Sequence, residues 1–248
     1  MSTVNRSACL ALIIVATWLA LNPLLSRAQT APHPPPQKAV EQSKKAAKTL
    51  DLALANLDQR IPKALLGKAV AVAVLPDVKK VSLLFEGAGT GRGVVTRRLA
   101  NGTWSPPAYI RLNAMSIGPQ IRSAKFDVIM LFMNDRSANW LLSDGAVTFD
   151  QAKAPVAGPV GEIKSEEKEV VPVADVFSYI YDEGLLQGKD LKNVFKHLAF
   201  TFDNELNKAT YGAKAGAVLS GPDTTKVPRV PTEVIVFSET VARYFLPD

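Results

Sequence analysis

Residues 79–120 read KKVSLLFEGAGTGRGVVTRRLANGTWSPPAYIRLNAMSIGPQ, and this stretch decides the fold. An apolar run at 81–85 is followed by glycine at 87, 89, 91 and 93 and then by Val94-Val95, which reads as strand, tight glycine turn, strand. Asn101-Gly102 marks a second turn, of the kind that needs positive φ. In Trp104-Ser105-Pro106-Pro107-Ala108 the two prolines remove two backbone donors and fix φ, so neither a helix interior nor a central strand can hold them. The segment is therefore an extended lead-in to a strand at 109–112. A bulky ring at that position, beside a stiffened chain, is expected to fill the core.

Taken in order, Gly87, Gly91, Gly93-Val94, then Gly102-x-Trp104-Ser105-Pro106-Pro107-Ala108-Tyr109, then Ser116-Ile117-Gly118-x-Gln120 resemble the SYLF domain family. Further landmarks of that family match at Ile61-Pro62, Leu75-Pro76-Asp77-Val78, Met133-Asn134 and Leu141-Leu142-Ser143. They continue at Ala157-Gly158-Pro159-Val160-Gly161, Ala174-Asp175-Val176, Ser178-Tyr179, Gly184-Leu185 and Tyr211-Gly212, so the resemblance covers roughly residues 40–220. Departures fall at Ala114-Met115, where the family has a glycine pair, at Arg122, where it has glycine, and at Tyr181-Asp182-Glu183, which replaces a basic pair. The resemblance implies a lipid- and actin-binding module of actin-patch proteins, which also occurs alone in secreted bacterial proteins. It carries recognition of acidic phospholipid with it, and no enzyme activity.

Outward toward the N-terminus, Arg6 precedes an apolar run at 8–21, and Ser26-Arg27-Ala28 has the small-x-small pattern of a cleavage site. Residues 1–28 are expected to be a secretory signal peptide, the alternative being a retained membrane anchor. The single cysteine, Cys9, lies inside that segment, so the chain after it has no thiol and no disulfide. Residues 29–37, with prolines at 32, 34, 35 and 36, form a PPII-like spacer. Residues 38–222 are then the SYLF-like domain, and 223–248 a C-terminal extension with a short helix.

Within the domain, Ala46, Leu50, Ala53, Leu54, Leu57 and Ile61 fall on one helical stripe, which Pro62 terminates. Such an amphipathic helix can pack on its own sheet or lie on an anionic membrane. Residues 65–75 read as β-rich, 126–133 as a strand covered on both faces, and Asn134 as the N-cap of a short helix through Leu142. Strands are expected at 147–149, 156–160 and 173–181, and a solvated loop at 162–169. Leu191, Val194, Phe195, Leu198, Phe202 and Leu206 suggest one long helix face closed by Gly212, and Thr232 a cap for a final helix carrying Val234, Phe237 and Val241. The fold class is α+β: an antiparallel, barrel-like β-rich core flanked by an N-terminal amphipathic helix and C-terminal helices.

Charge is unevenly distributed. Residues 38–68 hold seven basic and three acidic groups, 69–126 eight and two, and 127–248 twelve and eighteen, a basic half of +10 joined to an acidic half of −6. The basic half can attract an anionic surface, or the two halves can simply neutralise each other. Lys44, Lys45, Lys48, Lys63, Lys79, Lys80, Arg92, Arg97 and Arg98 are the candidate donors to lipid phosphate. An envelope protein docking on the acidic half is the alternative partner.

Other chemistries find little support. The glycine run lacks the following helix and the lysine-serine/threonine ending of a phosphate loop. Two histidines, His33 and His197, leave no base beside a nucleophile and no metal-ligand pair, and Asp203-Asn204-Glu205 lacks the spacing of a calcium loop. No cofactor, metal or catalytic residue is expected. Basic residues are not interleaved with aromatics as in nucleic-acid binders, so nucleic acid is not expected either. A signal peptide makes a periplasmic or secreted location, peripheral to a membrane, the expectation, and actin an improbable partner.

Overall fold

The computed structural model describes residues 34–55, 60–83, 86–118, 121–142, 146–149, 155–161, 174–221 and 226–246. The signal segment, most of the proline spacer, the expected loop at 162–169 and Leu57 lie outside the described residues. The rest belongs to one unit, Pro35–Asp248.

Its first element is helix α1, Gln37–Ala55, entered from Pro36, whose carbonyl accepts the Ala39 amide. The apolar stripe is buried: Ala46, Leu50, Ala53 and Leu54 are all covered, against the sheet and against α7, Val236–Tyr244. Of the two uses open to an amphipathic helix, this one packs on its own sheet. Helix α2, Lys63–Lys68, follows, so residues 65–68, which read as β-rich, are helical and only the run from Ala71 is extended.

Strand β1, Ala71–Leu83, pairs with β2, Glu86–Arg97, and on its other side with β4, Lys125–Phe132. The glycine run is thus strand and not turn: residues 87, 89, 91 and 93 all face one way inside β2, and the β1–β2 connection at 84–85 lies outside the described residues. The reason lies in β1. A central strand cannot normally hold proline, but register slips at Pro76-Asp77 against both neighbours, and Asp77 adopts φ 53°. Gly91 and Gly93 leave the space that this bulge fills. A Cβ on Gly91 would meet Val78 Cγ2 at 2.9 Å, and one on Gly93 would meet Leu75 Cγ at 2.6 Å and the Val74 carbonyl oxygen closer still.

The bulge also seats α1. The Asp77 amide, freed from the ladder, donates to Asp127 Oδ1 (2.8 Å); Thr49 Oγ1 donates to Asp127 Oδ2 (2.7 Å); Lys45 Nζ donates to Asp77 Oδ2 (2.8 Å). Burial pushes the Asp127 carboxyl above its ordinary range, against the pull of those two donors, while the Lys45 bond holds Asp77 below it. Nearer the start of the helix, Gln42 Nε2 donates to Gly93 O (2.5 Å).

The turn at Asn101-Gly102 is as read, with Gly102 at φ 80° and Asn101 Oδ1 accepting the Thr103 amide. Trp104 is half-buried rather than central: its ring meets Phe245 edge-on at 5.8 Å and lies under the Arg98 guanidinium at 4.8 Å. Pro106 and Pro107 lead into β3, Ala108–Ile117, which pairs with β2. Asn134 caps α3, Asp135–Asn139, by accepting the Ser137 amide, and a 3-10 turn continues to Leu142.

The remaining strands are β5 (Val147–Thr148), β6 (Val156–Ala157), β7 (Val176–Asp182), β8 (Leu185–Gly188), β9 (Phe195–Lys196) and β10 (Ala199–Phe202). Sheet order is β5-β10-β3-β2-β1-β4-β7-β6, with β8 on β7 and β9 on β3; only β6–β7 is parallel among these pairs. The sheet curls into a half-barrel flanked by terminal helices, the expected α+β class. The helix expected across 191–206 does not form. Helix α4, Leu191–Val194, gives way to β9 and β10, because Phe195 pairs with Ile117 and Phe200 with Leu112 at the β3 edge, with exposed His197 at φ 52° between them.

Helix α5, Asn204–Tyr211, ends as expected at Gly212 (φ 74°), and α6, Ala215–Leu219, follows. Pro231, not Thr232, holds the N-cap position of the last 3-10 turn, without a side-chain cap bond. Polar anchoring to β3 is dense around α5. Asn207 accepts the Tyr109 amide (2.9 Å) and donates to its carbonyl (3.0 Å); Tyr211 Oη donates to Pro107 O (2.6 Å). Burial pushes the Tyr109 hydroxyl up to about 12.

Candidate functional site

The fold covers only part of the outer sheet face. Val94, Thr96 and Tyr109 are buried there, whereas two rungs farther along β2 the same face opens at Thr90 and Arg92. The N-terminal half of α1 forms one wall, and the Pro76-Asp77 bulge the end. The result is a groove of about 590 Å³ whose lining carries Lys38, Lys45, Lys79, Arg92 and Arg111 against the carboxylates of Glu41 and Asp77.

These cations differ in how they are held. Lys45 is paired with Asp77, and that bond raises its pKa. Arg111 makes a two-pronged contact with Asp203, Nε to Oδ2 at 2.9 Å and Nη2 to Oδ1 at 2.7 Å, and its pKa rises accordingly. Asp203 is 2% exposed and also accepts the Leu206 amide as the cap of α5. Burial alone would raise its carboxyl, but Arg111 and that amide hold it below the usual range. Lys38 stands 3.7 Å from Asp203 and is half-exposed. Arg92 and Lys79 are exposed, and Lys79 adds to the cationic field that holds Asp77 down.

Of the nine cations singled out from sequence, the groove gathers Lys45, Lys79 and Arg92. Lys44 and Lys48 flank Lys45 in sequence and are exposed on α1. Lys63 is exposed on α2, apart from the groove lining. The other three are engaged within the fold. Lys80 Nζ donates to the Ile121 and Gly118 carbonyls (2.9 and 3.3 Å), Arg97 meets Asp135 at 3.4 Å, and Arg98 binds the carbonyls of Ala69, Gly67 and Phe245. Desolvation lowers the Arg98 pKa. Lys38 and Arg111 were not singled out; for Arg111 the signal was alternation along β3, which puts it on the face of Tyr109 and Asn113, but only the pairing with β2 places it beside Arg92.

Among the described residues no group of histidine, cysteine, aspartate or glutamate is arranged to hold a metal ion, and no helix is long and apolar enough to cross a membrane.

A family model described as "Ysc84: Las17-binding protein actin regulator" matches residues 113–244, just over half of the chain. The chain belongs to the SYLF (Ysc84) family. Among its relatives, Protein YSC84 of Saccharomyces cerevisiae is 27% identical over 203 residues, covering 79% of this chain and 42% of the relative. LAS seventeen-binding protein 3 of the same species is 28% identical over 198 residues, 76% of this chain and 42% of its own length. Human SH3 domain-containing YSC84-like protein 1 is 29% identical over 165 residues, 64% of this chain and 48% of its own. The chain therefore spans less than half the length of these SYLF relatives. LAS seventeen-binding protein 3 is named for a binding partner and the family description for binding and regulation, and none of these names states an enzyme activity. The expectation that actin is an improbable partner gains no support, since the matching SYLF model is described as an actin regulator.

Proposed function

We propose that this SYLF chain is a non-enzymatic binding protein that associates with acidic phospholipid at a membrane surface of the cell envelope, periplasmic or secreted. The observation that carries the reading is the placement of charge on α1. Its apolar face is buried in the fold, so the helix presents Lys44 and Lys48 outward, next to a groove with Lys38, Lys79 and Arg92. Attachment is then electrostatic and peripheral, not by insertion of the apolar stripe. Each lysine near an anionic surface contributes about 1 kcal/mol, an attraction that fades beyond a Debye length of about 8 Å at physiological salt.

The test is co-sedimentation with phosphatidylglycerol and with phosphatidylcholine vesicles. Reversal of Lys44 and Lys48 to glutamate, which spares the Lys45–Asp77 pair, removes at least roughly 2 kcal/mol and should weaken binding to the acidic vesicles by at least about thirtyfold, with a nearly unchanged melting temperature because exposed charges contribute little to folding. Equal binding of parent and variant at low salt would sink the reading. A second reading, docking of a protein partner, is favoured by the relatives named as Las17-binding and by the −6 charge of residues 127–248. Under it, vesicle composition has no effect.

A further inference from the structure

A cleft of about 400 Å³, sharing no residue with the cationic groove, lies between the β7–β8 hairpin and the loop ahead of β4. Strand alternation builds one wall. Ile180 is opposite Gln187 in the ladder, so Ile180 and Asp182 of β7 stand on the same face as Gln187, and Lys189 continues that face just past β8. Ile121, Arg122 and Ser123 form the other wall. Lys80 Nζ holds it through the Ile121 carbonyl (2.9 Å), and Ser123 Oγ ties it to the hairpin by donating to Asp182 Oδ2 (2.7 Å). The floor is apolar, from buried Ile121 and Ile180. The rim sets Arg122 and Lys189 against Asp182 and Glu183, and none of the four is ion-paired with another. Glu183 is held there at a conformational cost. Between paired Asp182 and Leu185, both Glu183 (φ 49°) and Gly184 (φ 83°) are left-handed, a turn that asparagine, aspartate and glycine fit best. A strained residue at the mouth of a cleft points to a use for its side chain. Arg122, Asp182 and Glu183 also fall where the chain departs from the SYLF pattern, so their chemistry is not one of the family landmarks.

We propose that this cleft binds a small zwitterion, a free amino acid or a short peptide. Its carboxylate lies on Arg122 and Lys189, its ammonium on Glu183 and Asp182, and its aliphatic body over Ile121 and Ile180. Charge balance selects that class. The rim is neutral overall but carries both signs, so a simple anion or cation meets a like charge along with the opposite one, whereas a ligand with both poles is matched at each. The Arg122 guanidinium presents paired N–H groups that fit a carboxylate in two-pronged fashion. Asp182 spends on Ser123 one of about four acceptor positions, which leaves the others, with those of Glu183, for the donors of an ammonium. The Gln187 amide both donates and accepts, and so suits a peptide group. At about 400 Å³ the cleft lies in the range of small-molecule sites. Its two walls are already joined through Ser123 and Asp182, so little ordering remains when the ligand enters.

The experiment is an NMR titration of the full chain, read at the backbone amides of residues 121–123 and 180–189. The probes are leucine, leucyl-leucine, leucinamide, which keeps the ammonium alone, and isocaproate, which keeps the carboxylate alone. Leucine or leucyl-leucine should shift those amides saturably, and each single-charge analogue should bind at least about tenfold more weakly. Arg122→Gln and Glu183→Asn should each lower the affinity for the zwitterion by at least about tenfold. Because asparagine fits the left-handed turn better than glutamate, Glu183→Asn should leave the melting temperature unchanged or higher, whereas a carboxylate that merely braces the turn would lower it. Binding of leucine assigns a free amino acid; binding of leucyl-leucine alone assigns a peptide. The proposal is overturned if neither zwitterion shifts these amides, if either single-charge analogue binds as well as leucine and leucyl-leucine do, or if both variants bind as the parent does.

Discussion

Replacement of Gly93 by alanine tests whether the glycines of β2 serve close packing or turn geometry. Gly93 has its carbonyl bound by Gln42 Nε2, and a Cβ built on it would lie 2.6 Å from Leu75 Cγ, 2.9 Å from Leu75 Cα and nearer still to the Val74 carbonyl oxygen. Two of these three atoms are backbone at the start of the β1 bulge, so no side-chain rotation relieves the clash; the strands must separate or the bulge must move. Overpacking of a rigid core typically costs about 1–3 kcal/mol, and the backbone contacts place this site at or above roughly 3 kcal/mol. Gly91→Ala meets a side-chain tip, Val78 Cγ2 at 2.9 Å, and should cost about 1–2 kcal/mol. Gly102→Ala meets nothing within 4 Å but sits at φ 80°, so its cost is the left-handed strain of about 1 kcal/mol. Urea denaturation of the three variants should rank them Gly93, Gly91, Gly102, with a fall of about 6–12 °C in melting temperature for the first. If Gly93→Ala loses less than about 1 kcal/mol, no more than the turn glycine, the close-approach account of the glycine run is wrong.

Two further outcomes follow from buried polar groups. Asp203→Asn should destabilise by roughly 2–3 kcal/mol at neutral pH, less than the 3–5 kcal/mol of a fully buried pair because the Arg111 side chain stays 41% exposed. Because the folded carboxyl is depressed, its contribution is present above the unfolded value of about 3.9 and is lost as pH falls below it, so parent and variant stabilities should converge in acid urea titrations; a constant gap there would refute the pairing. Tyr179 Oη is buried with no hydrogen-bond partner among the described residues, and burial drives its pKa upward. Tyr179→Phe should therefore raise stability by about 1 kcal/mol in thermal melts, and a loss of that size would mean the hydroxyl is bonded.

How far the sequence reached is clearest residue by residue. Gly102, Gly212 and Asn134 were legible because each acts through its own backbone: positive φ at the first two, a side-chain cap at the third. The α1 stripe was legible as a pattern, but not which surface would cover it. Residues 191–206 misled because a 3.6-residue spacing of apolar side chains fits a helix, while the open edge of β3 recruited Phe195 and Phe200 into strands. The glycine run misled in the opposite way, through a local rule applied where the need for glycine lay in a neighbouring strand.

Sequence by itself determined the family landmarks, the α+β class, the helix and turn signals and the imbalance of charge, all of them properties carried within a few residues of chain. Only the tertiary structure decided which cations gather at the groove and which are spent inside the fold. Arg98 and Lys80 are drawn to the fold's own carbonyls, whereas Lys38 and Arg111 join Arg92 and Lys79 across residues far apart in the chain. The cause is strand register: pairing sets which side chains stand opposite each other on one face, and a single bulge at Pro76-Asp77 shifts that alignment for everything beyond it.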